Sequence, residues 1–529
     1  MPMLKLISVL SLSTLLLAGC LPTFEDSHMA PAPAGLDAFE EIPTPFVHVW
    51  TEPSHPFTGA AVIDVDGDSR LEVFVGGGRG QADVLLAYRD GALVDVMADR
   101  GLSKSDTSPD APATHGAASS DLDGDGDVDL AVARENGLTV YVNEGGRFRA
   151  VPVALNLASD AIPLSVSVSD INGDGFGDLY VSVFVSFAAF RSATFNDPSH
   201  AKPNIMLLND GRMNFTDVTA ETGTASVQNT FHTTFVDLDN DGDQDMVLAQ
   251  NTGEVEILER TGRARFEPIP TDTGYGFWMG LAIGDPDNDG DQDILATNIG
   301  TSIPDFLTKG DLNNDQRQNT DWAYLRNEGG FIFTDATAEM KLDGYGFAWG
   351  AQFEDLNLDG DIDLLVAQNY IKWPVHRVAP LPGKALLQLK GGQGPAFYQV
   401  AGLGLDNDLY AQSPLIVDLD GDNRADVLWL NMDGPLRAFL NRSQGNFITV
   451  RVPDSPRTLG AHVTVVMADG HEMTRQIIAS TGLMTDPTPH LHFGLGDDEQ
   501  VESVTLYMPS GAGTTVQAPD INDWVDFRL

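Results

Sequence analysis

An aspartate ladder recurs seven times along this chain and constrains the fold more than any other feature. The copies open at Asp64, Asp121, Asp170, Asp237, Asp285, Asp355 and Asp418. Counted from that residue, position 3 is Asp66, Asp123, Asn172, Asp239, Asp287, Asn357 and Asp420. Position 5 is always Asp: Asp68, Asp125, Asp174, Asp241, Asp289, Asp359 and Asp422. Position 7 is Arg70, Asp127, Phe176, Asp243, Asp291, Asp361 and Arg424, and position 9 is Glu72, Asp129, Asp178, Asp245, Asp293, Asp363 and Asp426. Side-chain oxygens at positions 1, 3, 5 and 9, with a backbone carbonyl at 7, suit a hard cation that takes six to eight oxygens; the expected cofactor is Ca2+, at about five to seven sites. Position 6 must turn sharply and is Gly126, Gly175, Gly242, Gly290 and Gly360 in five copies. Ser69 and Asn423 stand there in the first and last, which are expected to be the weakest sites, since Ser and Asn enter left-handed backbone less readily than Gly.

These loops are not a solvated acidic tail, because each lies between short apolar runs. Ala61-Val62-Ile63, Phe235-Val236 and Leu415-Ile416-Val417 precede loops, and Leu130-Ala131-Val132, Met246-Val247-Leu248 and Val427-Leu428-Trp429 follow them. Short apolar runs bounded by turn residues read as buried strands, so the local unit is strand, loop, strand. Loop-to-loop spacings of 57, 49, 67, 48, 70 and 63 residues leave room for two more strands per unit. Asn143-Glu144-Gly145-Gly146, Asn209-Asp210-Gly211 and Asn327-Glu328-Gly329-Gly330 mark the turn between them. Four strands per repeat at this period predict an all-β, seven-bladed β-propeller. The seventh blade lacks its own outer strand, and Phe46-Val47-His48-Val49-Trp50 is the expected donor that removes the open edge. Asp311-Leu312-Asn313-Asn314-Asp315 resembles half a loop but has Asn319 at its ninth position, so it reads as an insertion.

Formal net charge is −47, which argues against nucleic acid or an anionic membrane surface as a partner. The ladder accounts for 30 of the 77 acidic residues, so without metal each loop packs carboxylates together at a repulsive cost. Folding and metal binding are therefore expected to be linked. Cys20 is the sole cysteine and follows Leu17-Ala18-Gly19, after Lys5 and an apolar run from Leu6 to Leu17. That is a secretory signal rather than a membrane span, which needs about 20 apolar residues. The Leu-Ala-Gly-Cys ending resembles the bacterial lipobox, which implies lipidation at Cys20 and export to the outer membrane. With no disulfide available, metal and core must stabilise the mature chain. Residues 1–20 are thus read as signal peptide, 21–45 as a proline-rich flexible tether, 46–445 as the propeller and 446–529 as a second domain.

The loop residues resemble FG-GAP or VCBS repeats, best known from the propeller of integrin α-subunits, over about residues 46–445. From residue 446 the chain resembles the ASPIC and UnbV domain, through Leu459-Gly460-Ala461-His462-Val463, Ser480-Thr481-Gly482, His492-Phe493-Gly494-Leu495-Gly496 and Met508-Pro509-Ser510-Gly511. Met508 stands where that family usually has Trp. Repeats followed by this domain is the arrangement of the cartilage-acidic-protein-like group. Alternating segments such as Ile448–Val452 and Val501–Leu506 read as strands of a small β-sandwich-like module packed beside the ring.

Motifs of catalysis are absent: the sequence has no Gly-x-Ser-x-Gly elbow, Walker loop, His-Glu-x-x-His or cysteine pair. Offset −5 from the loops is Gly59, Gly116, Ser165, His232, Gly280, Gly350 and Ser413, small in six of seven, as a crowded axis requires. His115, Phe231, His232, Trp278 and Trp349 are expected near the channel mouth away from the loops, where they either bind a sugar or peptide or pack the blades together. His490 and His492 share a strand face but have no acidic or cysteine partner to complete a metal site. The leading reading is a monomeric, calcium-binding, lipid-anchored, non-enzymatic adhesion or binding module for a protein or carbohydrate ligand. A polysaccharide lyase-like enzyme and a scaffold in an envelope assembly are the alternatives.

Overall fold

The computed structural model describes residues 28–33, 39–102, 108–191, 193–300, 303–370, 381–391, 394–498 and 500–527; Cys20 and the signal segment lie outside them. Seven sheets, each built on four antiparallel strands in propeller order, follow one another along the chain, and the first and sixth each take on a two-residue parallel strand. The second runs Thr114–Ser120, Asp129–Arg134, Gly137–Asn143, Phe148–Val153, each strand paired to the next. Its first two strands, the small and polar Thr114–Ser120 and the largely apolar Asp129–Arg134, are buried along their whole length, so neither alternates between a buried and an exposed face. An aspartate loop joins the first and second strands of every sheet, and the fold is an all-β propeller.

The first strands stand side by side around the axis. A Cβ on Gly59 would lie 2.4 Å from the carbonyl carbon of Gly116, and one on Gly280 would lie 2.7 Å from Gly350 Cα, so the small residues at offset −5 answer to backbone crowding. Gln412 Nε2 donates to Thr58 O at 2.7 Å, and Thr58 N donates back to Gln412 Oε1 at 2.8 Å, joining the seventh sheet to the first.

The strand that completes the seventh sheet lies earlier than the sequence indicates. Glu40–Ile42, placed in the tether on sequence grounds, pairs with Arg437–Leu440. Val47–His48 forms only a two-residue ribbon with Gly434–Pro435. Ile42 is buried, and Arg437 clasps Glu41 with Nε and Nη2 at 2.7 and 2.9 Å. One buried apolar residue and a two-pronged ion pair therefore select a segment that is acidic and unremarkable as sequence. Met29–Ala30 also leaves the expected tether to pair with Gly394–Val400 of the sixth sheet.

The C-terminal domain has two sheets. Asn446–Arg451 lies between Leu491–Gly496 and Asp523–Asp526, while His462–Met467 and Val501–Tyr507 are central in the other. Ile448, Val450, Val463, Phe493 and Val504 are buried between them. The domain does not sit beside the ring. It docks on the rim that carries the aspartate loops, and residues 480–486 descend into the axis. Leu281 and Gly482 exchange backbone hydrogen bonds, Thr485–Asp486 pairs in parallel with Ala60–Ala61, and Leu483 N donates to Ser413 Oγ at 3.1 Å.

Candidate metal centres

Each aspartate loop is shaped by its own first carboxylate. Asp121 Oδ1 accepts from Gly124 N at 2.8 Å and Oδ2 from Gly126 N at 3.1 Å. The other six loops repeat this with position 1 accepting from position 4 or 5 and from position 6. Position 6 has positive φ in all seven, including Ser69 at 64° and Asn423 at 69°, so neither residue abolishes the turn. Position 4 is left-handed as well: Gly67, Gly124, Gly173, Asn240, Asn288, Leu358 and Gly421. The sequence hides that requirement because Asn and Leu stand among the glycines.

Position 9 has a second task. Asp129 Oδ2 accepts from Leu122 N at 3.0 Å and Oδ1 from Asn143 N at 2.8 Å, tying the loop to the third strand. Asp178, Asp245, Asp363 and Asp426 do the same. In the fifth loop position 2 is Pro286, which has no N–H to give. There the Tyr324 hydroxyl donates to Asp293 Oδ2 in its place.

The Asn of the turn motif is the staple between sheets, a role that the sequence reading did not assign. Asn143 Nδ2 donates to Val128 O in its own loop and to Val65 O in the preceding one. Asn209, Asn327 and Asn441 make the equivalent pair of bonds, and Gln388 makes them in the sixth sheet.

Carboxylate oxygens converge within 4.8 Å in five loops: Asp64-Asp66-Asp68, Asp121-Asp123-Asp129, Asp237-Asp239-Asp245, Asp285-Asp287-Asp289 and Asp418-Asp420-Asp426. In the third and sixth loops Asn172 and Asn357 replace one carboxylate. The position-3 oxygens Asn172 Oδ1, Asp287 Oδ1 and Asp420 Oδ1 are buried without a hydrogen-bond partner. Burial, with added repulsion from neighbouring carboxylates, pushes Asp129, Asp178, Asp245 and Asp293 up to about 8. Concentrated charge and orphaned oxygens are what a bound cation relieves, so these clusters can hold metal ions. The first, fifth and last loops carry a competing cation, which in the fifth is Arg326, with Nε 3.4 Å from Asp287. Arg100 Nη1 lies 2.6 Å from Asp66 and Nη2 3.3 Å from Glu72, while Arg442 Nη1 lies 3.0 Å from Asp420.

At the other end of the axis, His115, Phe231 and Trp349 occupy the irregular registers of their strands, where bulging redirects side chains. All three are buried: His115 packs on Phe57, and Phe57, Phe231, Trp349, Leu483 and Met484 share one cluster, so the C-terminal segment roofs this layer. His232 reaches that segment directly, with Nε2 2.7 Å from Ser480 O and Nδ1 accepting from Met484 N at 3.2 Å, which explains a large residue at an offset that is otherwise small. Trp278 is buried between the fourth and fifth sheets and donates to Gly274 O. His492 Nδ1 lies 3.3 Å from Glu354 Oε2, and neither His490 nor His492 joins a metal-ligating cluster among the described residues.

The FG-GAP-like repeat model matches residues 121–181, 237–296 and 418–469, and the ASPIC and UnbV model matches 453–528. The chain carries FG-GAP-like repeats and an ASPIC and UnbV domain. It is similar to Cartilage acidic protein 1 of Xenopus tropicalis, 23% identical over 502 residues that span 88% of this chain and 73% of the relative. The Homo sapiens protein of that name is 23% identical over 487 residues, 86% and 69% of the two chains. Among solved structures, an Agrocybe aegerita lectin described as recognising non-reducing terminal N-acetylglucosamine aligns at 15% identity and a TM-score of 0.39, covering 73% of this chain and 94% of the lectin. A rhamnogalacturonan lyase aligns at 13% identity and 0.39, covering 77% and 76%. The ASPIC and UnbV domain supplies the segment that fills the axis of the FG-GAP-like propeller.

Proposed function

We propose that this protein is a calcium-loaded binding module of the bacterial envelope, anchored through a lipid on Cys20 and without catalytic activity. The observation that carries the calcium reading is the set of buried position-3 oxygens left without partners inside loops already folded around their first carboxylate. A hard cation supplies those oxygens with their missing interaction. The binding-module reading is supported by the filled axis: residues 480–486 occupy it, and the histidines and aromatics expected at a mouth are buried. The outer and interdomain surface then offers a platform suited to recognition of a protein or carbohydrate. The test is elemental analysis of purified protein, with about five to seven calcium ions per chain expected and a marked fall in melting temperature on chelation. Cys20→Ser is expected to move the folded protein from the membrane to a soluble extracytoplasmic fraction. Metal-free protein that melts unchanged would overturn the calcium reading, and a Cys20→Ser variant that stays in the membrane would overturn the anchor.

A further inference from the structure

The aspartate loops join first strands to second, so the connections from second strands to third lie on the opposite rim. In the fifth sheet that connection runs from Asp293–Ala296 to Ala323–Asn327 and carries a one-turn helix, Asp305–Thr308. Phe306 and Leu307 stand on this helix 80% and 60% exposed. Their neighbours hold the connection in place. Asp311 accepts from Phe195 N and Asn196 N of the matching connection in the third sheet, Leu312 is buried, and Gln318 Nε2 donates to Thr308 Oγ1. Two adjacent large apolar side chains, displayed by a fixed segment on a chain of net charge −47, mark a contact surface.

The start of the described chain reaches the foot of the same connection. The His28 ring lies 6.0 Å from that of Tyr345, and Tyr345 stacks on Trp322 at 4.8 Å. Gly300 N donates to Thr320 O at 2.7 Å to close the foot, so close to Tyr345 that a Cβ on Gly300 would lie 2.3 Å from Tyr345 O. Met29, the next residue, is 48% exposed. Cys20 precedes His28 by eight residues, and a chain of that length spans at most about 28 Å. The C-terminal domain covers the rim of the aspartate loops, which leaves the rim of Phe306 and Leu307 to face a surface.

We propose that this rim lies on the phospholipid leaflet that holds the Cys20 lipid, with Phe306 and Leu307 inserted at the headgroup boundary; the proposal rests on the lipid anchor. The net charge of −47 repels an anionic surface, so the leaflet it fits is zwitterionic. Insertion of apolar side chains needs no opposite charge. The short tether keeps the patch at high effective concentration beside the bilayer, so two side chains are enough to set how the propeller sits.

The test uses the lipidated, calcium-loaded full chain in vesicles of phosphatidylethanolamine and phosphatidylcholine. Lys309→Cys, beside the patch, and Ser510→Cys, on the C-terminal domain, each add an exposed thiol. Each is the sole free thiol, because the lipid occupies Cys20, and each is labelled with an environment-sensitive fluorophore. The Lys309 reporter is expected to shift to the blue and to be quenched by spin-labelled lipid at a depth of about 5–10 Å, and the Ser510 reporter to do neither. Phe306→Ser combined with Leu307→Ser is expected to remove most of the quenching at Lys309 without changing the melting temperature, since both side chains are exposed. A Lys309 reporter as wet as that at Ser510 would overturn the proposal and leave the patch to a protein partner. Quenching that survives the double substitution would overturn it as well, since the tether alone would then account for the proximity. Mass spectrometry of the N-terminal peptide reads the lipid separately. A lipidated chain with a wet reporter refutes this contact alone, whereas an unlipidated Cys20 refutes the anchor and this contact with it.

Discussion

Gly482 of the C-terminal domain and Leu281 of the fifth propeller sheet exchange two backbone hydrogen bonds, with N···O distances of 2.9 and 2.8 Å. The C-terminal domain is thus joined to the propeller by main-chain bonds at the axis and by contacts between the rim and its strands. Gly482 has φ +90°, and a Cβ there would lie 2.5 Å from Thr485 Oγ1 and 2.7 Å from Ser413 Oγ.

Gly482→Val is therefore expected to destabilise the protein by about 3 kcal/mol or more, combining left-handed backbone strain with overpacking. Urea titration followed by tryptophan fluorescence measures it. The parent is expected to unfold in one transition; a separate early transition for the C-terminal domain would show that the axial bonds do not couple the two.

Asn143→Ala removes both donors that join the first and second aspartate loops and strands the carbonyls of Val65 and Val128. Buried carbonyls without donors make the expected cost about 1–3 kcal/mol. Bound calcium is expected to stay the same, because Asn143 N still donates to Asp129. Chemical denaturation with metal analysis separates this from a ligand mutation, which lowers both.

The loops are expected to differ in affinity. Asp289→Ala removes a converging oxygen of the fifth loop and is expected to cost roughly 2–4 kcal/mol, with one calcium lost. Asp68→Ala in the first loop is expected to cost well under half as much, since Arg100 holds two ligands there, Asp66 at 2.6 Å and Glu72 at 3.3 Å, whereas Arg326 reaches only Asp287 in the fifth loop, at 3.4 Å. Equal losses of stability and of metal in the two variants would show that the arginine does not compete.

Acid is expected to destabilise the core through buried histidines. Burial holds His48, His55 and His232 down at about 4 against an ordinary 6.5. The unfolded chain therefore takes up protons first, so the stability is present above 6.5 and is lost as pH falls towards 4. At pH 5 the loss is about 2 kcal/mol per histidine. His48→Asn, whose side-chain amide nitrogen takes the place of Nδ1 as the donor to Met432 O, is expected to flatten the profile of urea midpoint against pH by about that amount. A profile as steep as the parent's would place the proton uptake elsewhere.

The ladder was legible because its chemistry is local. Carboxylates two residues apart, a turn residue at position 6 and apolar runs on either side specify loop and strands within about a dozen residues. Small residues at offset −5 likewise reported the crowded axis. Much less visible were the partners, which depend on which segments meet. Glu40–Ile42 closes the seventh sheet because Arg437 and a buried slot are there to receive it, whereas the more strand-like Phe46–Trp50 is confined to a two-residue ribbon. Tyr324 takes over a hydrogen bond that Pro286 cannot make, across 38 residues of sequence.

The sequence alone determined an all-β chain with seven oxygen-rich loops, and with it the reading of about five to seven cation sites. Those features follow from residue spacing and hold whatever surrounds them. Only the tertiary structure decided that residues 480–486 fill the axis and that His232 is a contact for that segment. Each of these joins residues more than two hundred positions apart. Spacing carries no record of such contacts, because burial and pairing belong to the assembled fold.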